Sequence, residues 1–450
     1  MVLSTTTKLT TKTILIKTRG KHLMDLQGIN ILVDGYNLEL TKGTGIKTYG
    51  ITLIKALTSL GANVDILCSR YTANSHPIVD EAVFFDRQIN NNSKLDIVRF
   101  LLAVTQQMKA KEIKIRDFVI KRDADFLFDF LSSRGKVYNI HDCYRIVNQL
   151  YKLTQTTTKI KIPDKIDIWH TTYQLPIKIN NTKTITTIHD IIPLKLPYTT
   201  LDDKKTFFKL TNKLIKESSL ILAVSENTKQ DILECFDVHP DKIYVTYQPI
   251  IDNSLLIQED QIPIYLNKFK IKHKKYILFV GTIEPKKNVG RIIDAYLSLD
   301  TNLQLVIVGK KGWLWEDEIG KLEGVLGKGF TRKVKLIEYV SKRDLMYLYS
   351  GALCFVFPSL YEGFGLPPLE AMSLGCPVIT SNLASLPEVC GDAALYVDPY
   401  NYVNIREMLE KLINDPQLQQ QLIASGKERV KAFSMENYSK KIAEAYSKVI

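Results

Sequence analysis

The chain has 450 residues, 45% of them hydrophobic and 24% charged, and carries a formal net charge of +12. That length is too great for one hydrophobic core and predicts two or three domains of an ordinary soluble globular protein. With no apolar run of about 18 residues, a membrane-spanning helix is not expected, while the basic charge asks for an anionic partner or a solubility role.

Residues 1–28 are rich in Thr and Lys, lack the apolar core of a secretory signal, and read as a solvated leader. The chain then alternates short apolar strands with helical segments, as parallel α/β sheets do. Strands are predicted at 29–33 and 63–68 around a helix at about 47–59, and again at 166–170, 184–188, 220–225 and 242–246. The segment from about 75 to 165 fits this rhythm poorly and reads as an insertion. Within it, residues 99–122 hold seven Lys or Arg against Glu112 and Asp117. A helix bearing Lys204, Lys205, Lys209, Lys213 and Lys216 with Phe207 and Phe208 adds a second basic, aromatic face, either solvated or interfacial.

Residues 251–275 read as a linker after a first domain of 29–250. A second domain at 276–432 has strands at 276–281, 303–309, 334–338, 352–358, 377–380 and 394–397. Helices close the chain, with a break near Phe433 and residues 433–450 forming a last helix that packs back on the first domain. Six cysteines without a CxxC pair suit reduced thiols in a cytoplasm. Seven histidines without metal-ligand spacing give no reason to expect a bound metal. The architecture expected is two doubly wound, Rossmann-like domains facing across a cleft, with ligands beyond the carboxyl ends of the strands.

Several segments fall at strand ends. In EGFGLPPLE (362–370) a Gly-rich turn precedes a helix opened by Pro367, and prolines are well placed in a first turn. Amides of Phe364, Gly365 and Leu366 at a helix N-terminus suit a phosphate. Glu362 and Glu370 on either side suit hydroxyl groups, although a Glu in a first helical turn also complements the dipole without any ligand. In GTIEPKKN (281–288), Lys286 and Lys287 suit phosphate oxygens. The loop GTGIKTYG (43–50) lacks the third glycine of a dinucleotide fingerprint; Asp65 lies about where a ribose-binding acid would. His170 and His189 each follow a strand, and His189 beside Asp190 is the better candidate to meet a sugar hydroxyl and a developing positive charge. Asp123 and Asp125 form a DxD in a basic, helical setting that does not suit a cation site.

These residues resemble the retaining glycosyltransferases of family 4, which have the GT-B fold. The resemblance rests on GTIEPKKN, VIVGKKGW (306–313), FPSLYEGFGLPPLEAMSLG (357–375) and SNLASLPEVCGDAALYVDP (381–399), and more thinly on GTGIKTYG, IWHTTYQLP, TIHDIIPL and AVSENTKQDI. It implies that Glu362 and Glu370 form the family's E-x7-E motif, holding donor-sugar hydroxyls and the ribose respectively. Lys287 and the amides at 364–366, Gly363 among their neighbours, would meet the diphosphate. Gly45 and His189 would approach from the first domain, and Tyr339 would lie near the base. Many members carry Arg where this chain has Thr282, which implies fewer charges on the phosphates.

The implied reaction is metal-independent, front-side sugar transfer from a nucleotide-sugar donor, GDP-mannose first, to a glycan or lipid-linked acceptor, with catalysis resting on Glu362, Lys287 and His189. No cofactor is implied. A cytoplasmic enzyme touching an anionic membrane face fits the basic first domain, and no nucleic-acid recognition motif appears. Two other readings stand beside it: a non-catalytic nucleotide or carbohydrate binder, and an NAD-dependent oxidoreductase.

Overall fold

The computed structural model describes residues 25–40, 45–72, 76–86, 97–106, 108–114, 118–120, 126–131, 135–251, 254–326 and 333–450. Most of the expected leader, Gly43, and the Asp123–Asp125 pair lie outside the described residues.

An eight-stranded sheet forms the first domain. From edge to edge it runs Ile243–Val245, Leu220–Ala223, Lys183–Ile188, Ile168–Thr171, Asn30–Asp34, Asn63–Cys68, Val137–Asn139 and Lys111–Glu112. Only the last pairing is antiparallel. The second domain holds six parallel strands in the order Val334–Ile337, Gln304–Val308, Tyr276–Val280, Cys354–Phe357, Val378–Ser381 and Ala394–Val397. Helices cover both faces of such sheets, so central strands read as unbroken apolar runs. Ile277, Leu278, Phe279, Phe355, Val356 and Phe357 are fully buried. Among the parallel strands of each sheet the order reverses once, between Asn30–Asp34 and Ile168–Thr171 in the first and between Tyr276–Val280 and Cys354–Phe357 in the second. Those two switch points are where the sheets leave a crevice.

Two parts of the expected layout change. Val137–Asn139 pairs in parallel with Asn63–Cys68, so the strand–helix rhythm of the first sheet resumes well before residue 165. This strand is only three residues long, too short to carry a pattern. The expected linker also contains structure of the second domain. Helix Ile262–Asn267 buries Ile262 and Leu266, and Tyr265 stacks on Tyr347 with ring centres 3.9 Å apart. No disulfide joins the six cysteines, and five of them are buried. Among the described residues no helix is long and apolar enough to cross a membrane.

The chain crosses between domains twice, side by side. Ile250 N–H donates to the Phe433 carbonyl at 2.9 Å, and Tyr247, Phe364 and Phe433 pack edge to face or tilted around the crossing. After it, Ser434 caps helix Met435–Ser447 by accepting from Asn437 N–H. That helix lies on helix Gly45–Ser59 of the first domain. Its Tyr446 hydroxyl sits 2.5 Å from His170 Nδ1, and His170 Nε2 sits 2.8 Å from Thr187 Oγ1. Thr187 Oγ1 in turn bonds the Tyr49 hydroxyl at 2.8 Å. Burial, and then the nearby His189, lower the His170 pKa to about 3, so this imidazole is neutral and serves structure.

A histidine kept neutral when folded takes up its proton only on unfolding, so its contribution is full above about pH 6.5 and fades as pH falls toward 3. His170→Gln is therefore expected to cost about 1–3 kcal/mol at pH 8 through broken buried hydrogen bonds. The gap in melting temperature from the unaltered protein should narrow at pH 5. An equal gap at both pH values would show that His170 is not held neutral.

Candidate active site

Four loops at or next to the two switch points meet. From the second sheet come the turns after Tyr276–Val280 and Cys354–Phe357; from the first come the segments after Ile168–Thr171 and Lys183–Ile188. The two second-domain loops are tied to each other before any ligand arrives. Asn288, in the left-handed region at φ 61°, donates from Nδ2 to the carbonyls of Pro358 and Pro399 at 2.9 and 2.7 Å. Leu360 N–H donates to the Lys286 carbonyl at 2.8 Å.

Between these loops Lys287 Nζ meets Glu362 Oε1 at 2.5 Å, and Ser359 Oγ donates to the same oxygen at 2.6 Å. Glu362 is 9% exposed. Burial alone would raise its pKa, but Lys287, Lys286 and the two hydrogen bonds outweigh burial and hold it below the ordinary value. For Lys287 the balance runs the other way: burial outweighs the attraction of Glu362 and lowers its pKa. The ammonium of Lys286 also turns inward. Burial opposes its charge, yet Glu362, Asp190 and Glu284 together raise its pKa. Two cations thus stand in the crevice although position 282 carries no Arg.

Helix Leu366–Ser373 begins at Gly365, whose φ of 107° suits glycine, and has Pro367 in its first turn. Its leading amides have no partner within the helix. Phe364 contributes only its backbone here, because its ring is buried at the domain crossing. Glu370 is the fifth residue of the helix, a turn beyond the end where a carboxylate would serve the dipole, so capping does not account for it. Burial raises its pKa, against a hydrogen bond from the Tyr349 hydroxyl at 3.3 Å and the charge of Lys342.

The first domain closes onto this loop through bare backbone. A Cβ on Gly363 would lie 2.0 Å from the His189 carbonyl oxygen. Ser225 Oγ donates to the Gly363 carbonyl at 2.7 Å, and the Thr228 hydroxyl lies within 3.2 Å of the carbonyls of both Gly363 and His189. Glu388 of the second domain accepts from Glu226 and Asn227 N–H at 2.7 and 3.0 Å, capping helix Glu226–Cys235 across the cleft.

His189 Nε2 is 2.9 Å from the Thr172 carbonyl, and Tyr49 stands edge-on to its ring at 4.8 Å. Burial, opposed by that hydrogen bond, lowers its pKa to about 4. The imidazole is therefore neutral near pH 7, with its proton on Nε2 to serve the carbonyl and Nδ1 left as an acceptor. Asp190 is raised by burial and opposed chiefly by Lys286.

The structure brings Lys287, Glu362, Gly363 and His189 together, with the leading amides of Leu366–Ser373 on the same loop. Gly45 opens helix Gly45–Ser59; a Cβ there would meet nothing within 4 Å, so protein packing does not demand glycine. Thr282 spends its methyl against Gly312, where a Cβ would sit 2.6 Å away. Tyr339 is 80% exposed beyond edge strand Val334–Ile337. Asp65 accepts from Lys136 N–H at 2.9 Å and serves the sheet instead of a ribose. Sequence reasoning did not anticipate the inward turn of Lys286 or the clamps by Ser225, Thr228 and Glu388. Ser225 carried one usable signal, an N-cap serine directly after a strand. Among the described residues no group of three or more His, Cys, Asp or Glu converges as metal ligands would.

Residues 262–429 match the family model described as glycosyl transferases group 1, and residues 98–253 match that described as glycosyltransferase family 4. The O-antigen chain mannosyltransferase B of Escherichia coli is 35% identical over 288 residues, 61% of this chain and 72% of that protein. The serotype-specific mannosyltransferase WbdA of E. coli is 30% identical over 62% of this chain, which spans only 35% of WbdA. Among solved structures, sucrose-phosphate synthase from Thermosynechococcus elongatus superposes with a TM-score of 0.66 at 16% identity, covering 93% of this chain and 98% of that one. Anabaena HepE in complex with UDP and glucose gives 0.64 at 14%, covering 93% and 99%. At such identities the likeness concerns the fold, which is GT-B.

Because Gly363 and His189 touch through backbone, neither can step aside cheaply. Gly363→Ala is expected to hold the domains apart, enlarging the radius of gyration in small-angle scattering. A displacement of about 1 Å at a reacting centre costs about a hundredfold in rate, and a loss of that order is expected in sugar transfer. An unchanged scattering profile with normal turnover would show that the contact does not set closure.

Proposed function

The chain belongs to family 4 of the glycosyltransferases and is itself a glycosyltransferase, and on that footing we propose that it moves mannose from GDP-mannose to a glycan or lipid-linked acceptor with retention of configuration. The observation that carries this reading is the buried Lys287–Glu362 pair beside the N-terminus of helix Leu366–Ser373 and facing His189. The mannosyl preference is supported by the names of the relatives.

In this reading the donor diphosphate lies on the amides of Phe364, Gly365 and Leu366 and against the Lys287 ammonium, which stabilises it as it leaves. Glu362, kept ionised by its two lysines, takes donor-sugar hydroxyls, and Glu370 takes the ribose. The acceptor hydroxyl attacks the anomeric carbon on the face the phosphate leaves, and its proton passes to that phosphate. The bond from sugar to phosphate oxygen breaks as the new glycosidic bond forms, so no protein base and no metal are required. Neutral His189 offers Nδ1 to the sugar as positive charge develops, its backbone carbonyl being engaged against Gly363 and Thr228. Lys204, Lys205, Lys209, Lys213 and Lys216, with Phe208 41% and Leu201 73% exposed, form the face we assign to an anionic membrane on the cytoplasmic side, where a lipid-linked acceptor would be met.

A ligand bound only by the folded state raises stability as RT ln(1 + [L]/Kd). Among GDP, UDP, ADP, CMP and NAD, GDP is expected to raise the melting temperature selectively, and Glu370→Ala to abolish the rise. A rise with NAD alone would instead favour the oxidoreductase reading. Glu362→Ala and Lys287→Ala are each expected to lower transfer by about a hundredfold or more, the usual cost of one preorganised contact. Near-normal rates in both would sink the assignment, and GDP binding without transfer to any glycan would leave a non-catalytic binder.

A further inference from the structure

The switch point of the first sheet encloses a cavity of about 180 Å³ that opens beside the catalytic pair and is lined in part by Tyr173, Asp190, Thr200, Asp202 and Lys286. One of its walls is preformed. Tyr173 stacks on Tyr36 at 5.7 Å and 24°, and Tyr36 stands edge-on to Tyr144 at 5.3 Å. Asp34, fully buried, accepts from both Tyr36 N–H and Thr172 N–H, pinning the two loops that carry the rings. The Thr200 hydroxyl is buried and has no partner among the described residues. An aromatic face with acceptor oxygens around it and an unspent hydroxyl is suited to a ring that is apolar on one side and hydroxylated at its edge.

Size and charge narrow the occupant. The volume falls below the roughly 300–1,000 Å³ of sites for drug-sized ligands, so there is room for one ring. Around it, Glu284, Glu362, Asp190 and Asp202 set four carboxylates against the ammoniums of Lys286 and Lys287. A bound donor adds two phosphates to that balance. A further anion entering here meets like charge, an arrangement that costs several kcal/mol at interfaces.

We propose that this cavity receives the terminal ring of the acceptor and that this ring is an uncharged pyranose, stacked on Tyr173 with hydroxyls on Asp190, Asp202 and Thr200. The inference rests on the glycosyltransferase reading and adds the acceptor's chemical class: phosphorylated sugars and uronic acids are excluded.

Saturation-transfer NMR on the full chain without nucleotide tests it, with methyl α-D-mannopyranoside, D-glucuronate and mannose 6-phosphate as probes. The neutral sugar is expected to be saturated at least fivefold more than either anion, and Tyr173→Ala to remove most of that signal. Asp202→Lys, at an exposed position, should admit mannose 6-phosphate, and this arm decides the matter if Tyr173→Ala does not fold. Stronger or equal saturation of the anions, or none of the neutral sugar, overturns the proposal. So does a signal that survives Tyr173→Ala and vanishes in Glu362→Ala, which would put the sugar in the donor half. No turnover is read, so a failure here is distinct from a failure of the transfer assay.

Discussion

The cleft depends on a backbone contact: Gly363 laid against the carbonyl of His189, with no side chain between them. Two loops from different sheets can approach so closely only if one lacks a Cβ and the polar groups forced together find partners. Ser225 and Thr228 supply those partners, giving hydroxyl protons to carbonyls that would otherwise be buried and facing each other. The contact sets the distance between domains, and thereby the distance from His189 to Glu362. Glu388 adds a second tie, a carboxylate of one domain resting on the first amides of a helix in the other.

Inside this seam the charges are arranged so that each is compensated, since an isolated buried ion would surrender its charge. Glu362 stays ionised because two lysines and a serine hydroxyl outweigh its burial. The histidines are treated in the opposite way. Lacking a carboxylate partner, both His170 and His189 stay neutral, and His189 stands at the crevice as a dipole instead of a cation. Deeper in the first sheet, burial pushes Asp34 up to about 6, a tolerable state because its role is to hold two loops by backbone hydrogen bonds. The crevice therefore has an electrostatic layout in place before a donor enters, which is what preorganised catalysis requires.

Much of this was legible in the sequence. Buried parallel strands announce themselves as unbroken apolar runs, and the turns at Gly281 and Gly363–Gly365 mark where the strands end. The strand Val137–Asn139 was hidden because three residues carry no periodicity, and helix Ile262–Asn267 because its surroundings are polar. Glu362 and Lys287 were legible as types at a spacing; that they pair with each other was not. Lys286 shows the limit most plainly. It stands next to Lys287 in the single turn Pro285–Lys287, and consecutive residues of such a turn point in different directions. Only the packed fold shows that both point inward, Lys287 to Glu362 and Lys286 toward Asp190. Contacts such as Glu388 to helix Glu226–Cys235 join residues about 160 apart, and no local pattern encodes them.

The helix Met435–Ser447 has a consequence for how the protein is made. It supplies Tyr446 to the buried His170 and lies on helix Gly45–Ser59, so the first sheet is finished by residues synthesised only after every strand of the second sheet. The final strand of that sheet, Ile243–Val245, precedes the helix by roughly 190 residues, which at about 5–20 residues per second is a wait on the order of 10–40 s. Throughout it helix Gly45–Ser59 lacks the cover of that last helix, and His170 has Thr187 but not Tyr446 as a partner. A chain halted between Val245 and Met435 thus lacks a finished first domain even though every strand of its eight-stranded sheet has been synthesised.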